Sequence, residues 1–307
     1  MSSISVIIPT YKRGSLLKKA IWSALHQTLP AAEIIVVDDN RDEDEIRIVR
    51  ECVMGFNDPR LTLISNFRRK GGCGARNSGI LSATGTYIAF LDDDDIFRQG
   101  ALQAHFNAFE DSVGMVYGNC QVVDDLYKVT ETTAFKRGPL HFSDLVMGHC
   151  PPSSSVVMIK RSILLETGLF DESLPSFQDY DMWLKVSRSY SIQSHEAVVA
   201  KFIQHDGQRT SIDFDKRRAG LDLIVQKWGD EIGTVRSLKS FINHFMAGTY
   251  FNSGTVFLSF GIGHRLQAFR YFMQAIRLKF FYRRYWKWAV FCVLGFQLTK
   301  KIRSIHP

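Results

Sequence analysis

Four consecutive carboxylates, Asp92, Asp93, Asp94 and Asp95, follow the apolar run Thr86–Leu91. Adjacent acids repel one another, so structure alone is a poor reason for such a run. Hard divalent cations take oxygen ligands, and carboxylates two residues apart on an extended turn point the same way. The run therefore reads as a site for a hard divalent cation such as Mg2+ or Mn2+. The competing reading is a solvated acidic loop with a helix cap. The chain contains neither a P-loop nor a GxGxxG turn, and no His/Cys zinc spacing.

The elements that must position these acids follow from the apolar pattern. Ile4–Ile8, Glu33–Val37, Leu61–Ile64, Thr86–Leu91 and Met115–Tyr117 read as strands, and the longer ones are continuous apolar runs. Between them, Ser15–Gln27, Asp42–Met54, the segment from the glycine turn at Gly71–Gly74 to Leu81, and Leu102–Phe109 have helical spacing. Strands alternating with helices predict an α/β fold with a mostly parallel mixed sheet covered on both faces. Such sheets bind ligands beyond the carboxyl ends of their strands. Thr10 and Tyr11, Asp38 and Asp39, and the run from Asp92 all fall there. Farther on, Val156–Ile159 and Val198–Ile203 read as strands and Asp179–Val186 as a helix, completing the sheet. After Asp213 the pattern is helical. The expected division is residues 1–213 and a basic helical region, 214–307.

The segments SVIIPTYKR, IIVVDDN, GGCGARNSGI, ATGTYIAFLDDDD and FQDYDMWLKV resemble, in order and spacing, the successive motifs of the family-two glycosyltransferases. The resemblance covers roughly residues 3–210. It implies a GT-A, Rossmann-like domain, a nucleotide-sugar donor, a divalent metal and inversion at the anomeric carbon. By resemblance, Pro9, Thr10 and Tyr11 cradle the nucleobase, and Asp39 accepts from uracil N3–H, which implies a UDP donor. Asp39 as the cap of the next helix is the alternative. Arg76 matches a basic residue beside the nucleotide, with a structural ion pair as the other reading. Asp92-Asp93-Asp94 matches the DXD motif, with Asp92 and Asp94 on the metal and Asp93 on the ribose.

Asp179 matches the general base, preceded by Gln178 where the family usually has Glu. Asp181 is the second choice, and a helix cap is the structural alternative for Asp179. In FIQHDGQRTS, His205 matches a metal ligand of some family members, and imidazole can complete an oxygen-rich Mn2+ site. Gln208, Arg209 and Ser211 follow on a loop that would close on the diphosphate, with Arg209 as phosphate clamp. A structural histidine and an ordinary polar loop are the alternatives. A QxxRW-type motif is absent, so addition of a single sugar is expected.

The net charge of +7 hides an asymmetry: the segment after Glu231 carries 12 Lys and Arg and no acid, and the rest carries 26 basic and 31 acidic residues. A basic tail on an acidic body implies an anionic partner. Leu266, Phe269, Met273, Ile276 and Phe280 share one helical face, and Arg270, Arg277 and Arg284 another. Tyr282, Tyr285, Trp286 and Trp288 precede an uncharged run, Trp288–Thr299, of 12 residues, too short to span a bilayer. Aromatic residues flanked by Lys and Arg suit a membrane interface. Peripheral attachment through residues 264–303 to the cytoplasmic face of the inner membrane is expected. Packing on the protein is the alternative, and nucleic acid is disfavoured because no recognition motif accompanies the charge.

Five unpaired cysteines and a start, MSSISVIIPTYKR, unlike a signal peptide fit a cytoplasmic protein. The expected activity is transfer of one hexose, from UDP-glucose or UDP-galactose, to an undecaprenyl-diphosphate-linked GlcNAc-type acceptor in O-antigen, capsule or lipopolysaccharide synthesis. A non-catalytic binding protein on the same fold and a soluble transferase for a protein or small-molecule acceptor are the competing readings.

Overall fold

A computed structural model describes residues 3–123, 129–133, 138–203, 213–259 and 264–303. It forms two compact units. One comprises Met1–Leu145, His149–Ser173 and Gln178–Asp206; the other comprises Val146–Gly148, Leu174–Phe177 and Gly207–Pro307.

In the first unit, strands β1 (Ile4–Thr10), β2 (Glu33–Asp38), β3 (Leu61–Ser65) and β4 (Tyr87–Phe90) alternate with helices α1 (Gly14–Leu25), α2 (Glu43–Met54) and α3 (Gly72–Ser82). β1 pairs in parallel with β2 and β4, and β2 with β3. Val6, Ile7 and Ile8 of β1 and Ile34–Val37 of β2 are buried on both faces, which explains apolar runs without alternation. Asp42 caps α2: its side chain accepts from the backbone of Asp44 and Glu45, and three acids in the first turn suit the positive helix end. Asp39 does not serve as that cap.

The chain continues through β5 (Asp95–Phe97), α4 (Ala101–Asn107), β6 (Val113–Val123), β7 (Val129–Thr132), β8 (Pro139–Leu140), α5 (Phe142–Met147), a 3-10 turn (Ser154–Val156), β9 (Val157–Lys160), α6 (Arg161–Glu166), α7 (Gln178–Ser187) and β10 (Ser191–Ile203). Among the described residues these strands form one ten-stranded mixed sheet, in order β3-β2-β1-β4-β9-β6-β10-β5, with β7 beside β6 and β8 beside β10. β9 is antiparallel to both β4 and β6. β10 runs parallel to β6 and antiparallel to β5.

From β1 the chain moves outward to β2 and β3, then returns on the other side of β1 as β4. The carboxyl ends of β1 and β4 therefore flank a topological switch point, where open α/β sheets bind ligands. Pro9 lies beyond the last β1–β4 register pair, Ile7–Phe90, so its missing N–H breaks no rung on that side.

The second unit includes helices α8 (Phe214–Val235), α9 (Leu238–Ser259), α10 (Arg265–Leu278) and α11 (Arg283–Arg303). Its core joins Ala247 and Phe251 of α9, Ala268, Phe272, Ala275 and Ile276 of α10, and Tyr285, Ala289 and Cys292 of α11. The apolar stripe expected on α10 is thus rotated. Ile276 is buried and Phe269 and Met273 pack on the core's edge, but Leu266 and Phe280 are exposed. Small alanines contribute little to an apolar pattern yet allow close helix approach, and a Cβ at Gly254 would stand 2.6 Å from the Phe272 ring. No helix among the described residues is long and apolar enough to cross a membrane.

Candidate active site

The switch point is closed by side chains from several elements of the first unit. Thr10, the last residue of β1, donates from Oγ1 to Asp93 Oδ2 at 2.8 Å, and Tyr11 N donates to the same oxygen at 3.4 Å. Arg13 lies in the same loop. Its Nη1 donates to Asp93 Oδ1 at 3.1 Å and to Asp94 Oδ2 at 2.6 Å. Tyr11 is 41% exposed, with Lys70 Nζ 4.8 Å and Lys12 Nζ 5.6 Å from its ring centre. A part-exposed aromatic ring flanked by two ammonium groups suits a planar, anionic ligand.

Asp39 follows β2 and is tied to β1 by a bond from its backbone N–H to the Thr10 carbonyl at 3.0 Å. Its buried carboxylate braces the loop before α3. Oδ1 accepts from Asn66 Nδ2 at 2.6 Å and Oδ2 from Gly71 N at 2.8 Å. Gly71 has φ 120°, a conformation that side chains strongly disfavour. A Cβ at Gly74 would overlap the Arg69 carbonyl, so α3 begins tightly against this loop. A carboxylate offers about four lone-pair sites, and Asp39 keeps acceptor capacity for a ligand.

Arg76, buried on α3, joins the two halves of the site. Its Nη2 donates to Asp92 Oδ1 at 2.6 Å, and its Nη1 lies 3.9 Å from Asp179 Oδ1. The ion-pair reading of Arg76 is therefore observed, and its partners are two of the acids singled out for chemistry. The neighbouring Asn77 donates to Glu172 Oε1 at 2.8 Å and to the Phe170 carbonyl at 2.9 Å. Glu172 also receives Arg68 Nε at 2.8 Å and Arg69 N at 3.2 Å, fixing the far end of the same loop.

The acids of the run differ in their partners, although Arg13 reaches both Asp93 and Asp94. Asp93 turns inward to Thr10 and Arg13, while Asp92, Asp94 and Asp95 each present an oxygen within 4.8 Å of the others. Asp95 opens β5 and is buried, and burial together with Asp92 and Asp94 holds its carboxyl well above the usual range. Burial also pushes Asp93 up to about 6, opposed by Arg13 and reinforced by Asp94. Ser155 Oγ accepts from the Asp92 backbone N–H at 3.0 Å, and Ser154 Oγ approaches Asp92 Oδ1 at 3.4 Å. An all-oxygen, charge-rich and partly enclosed donor set fits Mg2+ or Mn2+.

Asp179 occupies the first turn of α7, inside the helix rather than capping it. Its side chain is 29% exposed, but Oδ1 is enclosed and has no hydrogen-bond partner among the described residues. Burial raises its carboxyl above the ordinary carboxylate value, with Arg76 opposing and Asp92 adding to the rise. Asp181, the second candidate, is wholly buried and pairs with Lys185 at 3.2 Å. It is the structural acid of this helix.

Thr10, Tyr11, Asp39, Arg76, Asp92, Asp93, Asp94 and Asp179 thus converge, with Pro9 one residue from Thr10. His205, Gln208, Arg209 and Ser211 lie outside the described residues. Arg13, Asp95, Ser154, Ser155 and Glu172 were not expected at the site. Asp95 had a signal as the fourth acid of the run, and Arg13 as the cation closing SVIIPTYKR. The two serines and Glu172 carry no local pattern.

The profile described as Glycosyl transferase family 2 matches residues 5–153. A relative from Escherichia coli, named UDP-Glc:alpha-D-GlcNAc-diphosphoundecaprenol beta-1,3-glucosyltransferase WfaP, is 30% identical over 219 residues, 70% of this chain and 82% of the relative. An uncharacterized glycosyltransferase of Rickettsia prowazekii is 31% identical over 217 residues; the match covers 68% of this chain and 66% of the relative's length. Among solved structures, the S. aureus TarS fragment 1-349 in complex with UDP-GlcNAc superposes with a TM-score of 0.59 at 16% identity, covering 90% of this chain and 81% of that one. That likeness concerns the fold, while the sequence matches carry the family: the chain belongs to glycosyl transferase family 2.

Proposed function

We propose that the protein is an inverting, metal-dependent hexosyltransferase. It moves one hexose from UDP-glucose or UDP-galactose to a lipid-linked acceptor of the undecaprenyl-diphosphate GlcNAc type, in O-antigen, capsule or lipopolysaccharide assembly. The observation that carries this reading is the Asp92–Arg76–Asp179 chain. A carboxylate whose Oδ1 has no hydrogen-bond partner among the described residues stands beside the same arginine that holds Asp92. The lipid-linked acceptor is supported by the activity for which the Escherichia coli relative is named.

In this reading Pro9, Thr10 and Tyr11 hold the base, and Asp39 accepts from uracil N3–H through lone pairs left free by Asn66 and Gly71. Asp93 takes a ribose hydroxyl once Arg13, 32% exposed, swings from its Oδ1. Asp92 and Asp94 hold Mn2+ or Mg2+, with Asp95 as an added oxygen donor. His205 as a further ligand and Arg209 as phosphate clamp belong to the same reading. When bound, the cation supplies Lewis-acid neutralisation of the leaving diphosphate.

Asp179 accepts the proton of the acceptor hydroxyl while that oxygen attacks C1 from the face opposite UDP. The new C1–O bond forms as the bond from C1 to the phosphate oxygen breaks, and its electron pair leaves with UDP. One displacement inverts the anomeric centre. A base with a raised pKa is better matched to this work near neutral pH.

The tail through residues 264–303 attaches the protein to the cytoplasmic face of the inner membrane, where such an acceptor is embedded. Its excess of basic residues, without any acid after Glu231, supports this and no nucleic-acid role is assigned. The reading is tested by UDP release from a panel of UDP-sugars with Mn2+, Mg2+ or chelator, with and without a GlcNAc-diphosphate-lipid acceptor. Acceptor- and metal-dependent release from one UDP-hexose is expected. Absence of any UDP binding in the presence of metal would sink the nucleotide assignment.

A further inference from the structure

We propose that the turn joining α10 to α11 is a preformed wedge that inserts the Phe280 and Phe281 rings into an anionic lipid bilayer. The proposal deepens, and rests on, the membrane attachment of residues 264–303.

The turn is rigidly built. Lys279 N donates to the Ala275 carbonyl at 3.0 Å, Tyr282 N to the Lys279 carbonyl at 3.2 Å, and Tyr285 N to the Tyr282 carbonyl at 3.0 Å. Trp286 Nε1 closes it by donating to the Phe280 carbonyl at 2.7 Å. Beneath it Tyr285 is buried and stacks on Phe251 at 5.1 Å, tying the turn to the helical core. Lys279 is engaged on the protein side, its Nζ 2.9 Å from His244 Nδ1.

The outer side is the reverse of a water-adapted turn. Phe281 is 93% exposed and Phe280 58%, and Phe280 meets both Phe281 and Trp286 edge-to-face at 5.3 Å. Trp286, Val290 and Val293, at helical spacing on α11, continue the apolar surface and are all exposed. Arg277, Arg283 and Lys287 are exposed around it. Phenyl rings at the tip, Tyr282 and Trp286 at their edge and cations behind match the layering of a bilayer interface with anionic headgroups. A second copy is the poorer occupant. A symmetric contact would bring these cations together, and no acid of the tail is present to answer them.

The test is flotation of the full chain with vesicles of phosphatidylethanolamine and phosphatidylglycerol, against neutral phosphatidylcholine vesicles. UDP binding and the thermal melt serve as fold controls. Wild type is expected to bind the anionic vesicles, and brominated lipid is expected to quench a fluorescence component that Trp286→Phe removes. Phe281→Ser is expected to weaken partition about tenfold, the loss of one buried phenyl. Arg283→Gln with Lys287→Gln is expected to weaken it more than about tenfold on anionic vesicles only. Phe281 touches little of the core, so its variant folds.

Wild-type binding by Phe281→Ser would overturn the wedge while leaving a charge-held tail intact. No vesicle binding with UDP binding retained would overturn both the wedge and the attachment, but not the nucleotide site. A dimer that Phe281→Ser converts to monomer, without vesicle binding, would assign the turn to self-association and overturn the proposal.

Discussion

Nη1 of Arg76 stands 3.9 Å from Oδ1 of Asp179, an oxygen without a hydrogen-bond partner among the described residues, while Nη2 of the same guanidinium holds Asp92 at 2.6 Å. One buried cation therefore keeps two carboxylates of different proposed roles in a single electrostatic unit. Removing it leaves both acids facing each other in a poorly solvated pocket. Arg76→Gln is expected to cost about 3 kcal/mol in urea unfolding at neutral pH, and Arg76→Lys less. Wild-type stability in Arg76→Gln would contradict this coupling.

Arg13 competes for the acidic cluster, because its Nη1 occupies Asp94 Oδ2 at 2.6 Å. Removing a positive charge beside a cation site strengthens cation binding. After allowance for the partial exposure of Arg13, Arg13→Gln is expected to bind Mn2+ about fivefold more tightly, roughly 1 kcal/mol. Titration calorimetry without nucleotide reads this directly. Equal or weaker binding would show that the guanidinium does not contend for that oxygen.

Asn66 acts on the nucleotide site at one remove. Its Nδ2 bridges Asp39 and the Arg69 carbonyl, and its Oδ1 receives Arg68 N and Ser78 Oγ. Asn66→Ala removes the brace from Asp39 Oδ1 and loosens the loop to Gly71. UDP affinity is expected to fall about tenfold. A lowered melting temperature with unchanged UDP affinity would confine Asn66 to stability.

The paired imidazoles of the first unit set an acid limit on stability. His195 Nε2 and His105 Nδ1 are 2.9 Å apart, leaving His105 Nε2 and His195 Nδ1 enclosed without partners among the described residues. Burial holds His105 well below the ordinary imidazole value and pushes His195 down to about 4. The unfolded chain protonates near pH ~6.5 and the fold does not. Their stabilising contribution is therefore present above ~6.5 and lost as pH falls toward ~4. His195, partly exposed, is expected to account for about 2 kcal/mol of that loss. His195→Gln should make the melting temperature depend less steeply on pH between these values, and an unaltered profile would rule out the share of His195.

The sheet around the switch point was legible because β1, β2 and β4 are buried on both faces, and their carboxyl ends carry the polar residues. β6 and β10 were read only in part, as Met115–Tyr117 and Val198–Ile203. Polar residues interrupt both strands, and their pairing shifts register between Ser194 and Val198. β5 was missed because it has three residues and begins with an acid. The direction of each aspartate was not legible either. Members of one acidic run take different partners here: Thr10 and Arg13, about 80 residues earlier, hold Asp93, Arg13 also reaches Asp94, and Arg76 holds Asp92. On α10, alanines rather than the larger apolar residues mark much of the buried face.

In the proposed mechanism Asp179 removes the acceptor proton. The direct measurement is acceptor-dependent UDP release by wild type and Asp179→Asn across pH, with UDP binding measured on both. Asp179→Asn is expected to bind UDP as wild type does but to lose about 10²-fold or more in kcat. The wild-type rate is expected to rise with pH through a midpoint above the ordinary carboxylate value, because burial raises this acid and only its ionised form accepts a proton. An Asp179→Asn enzyme with wild-type turnover would show that Asp179 is not the base.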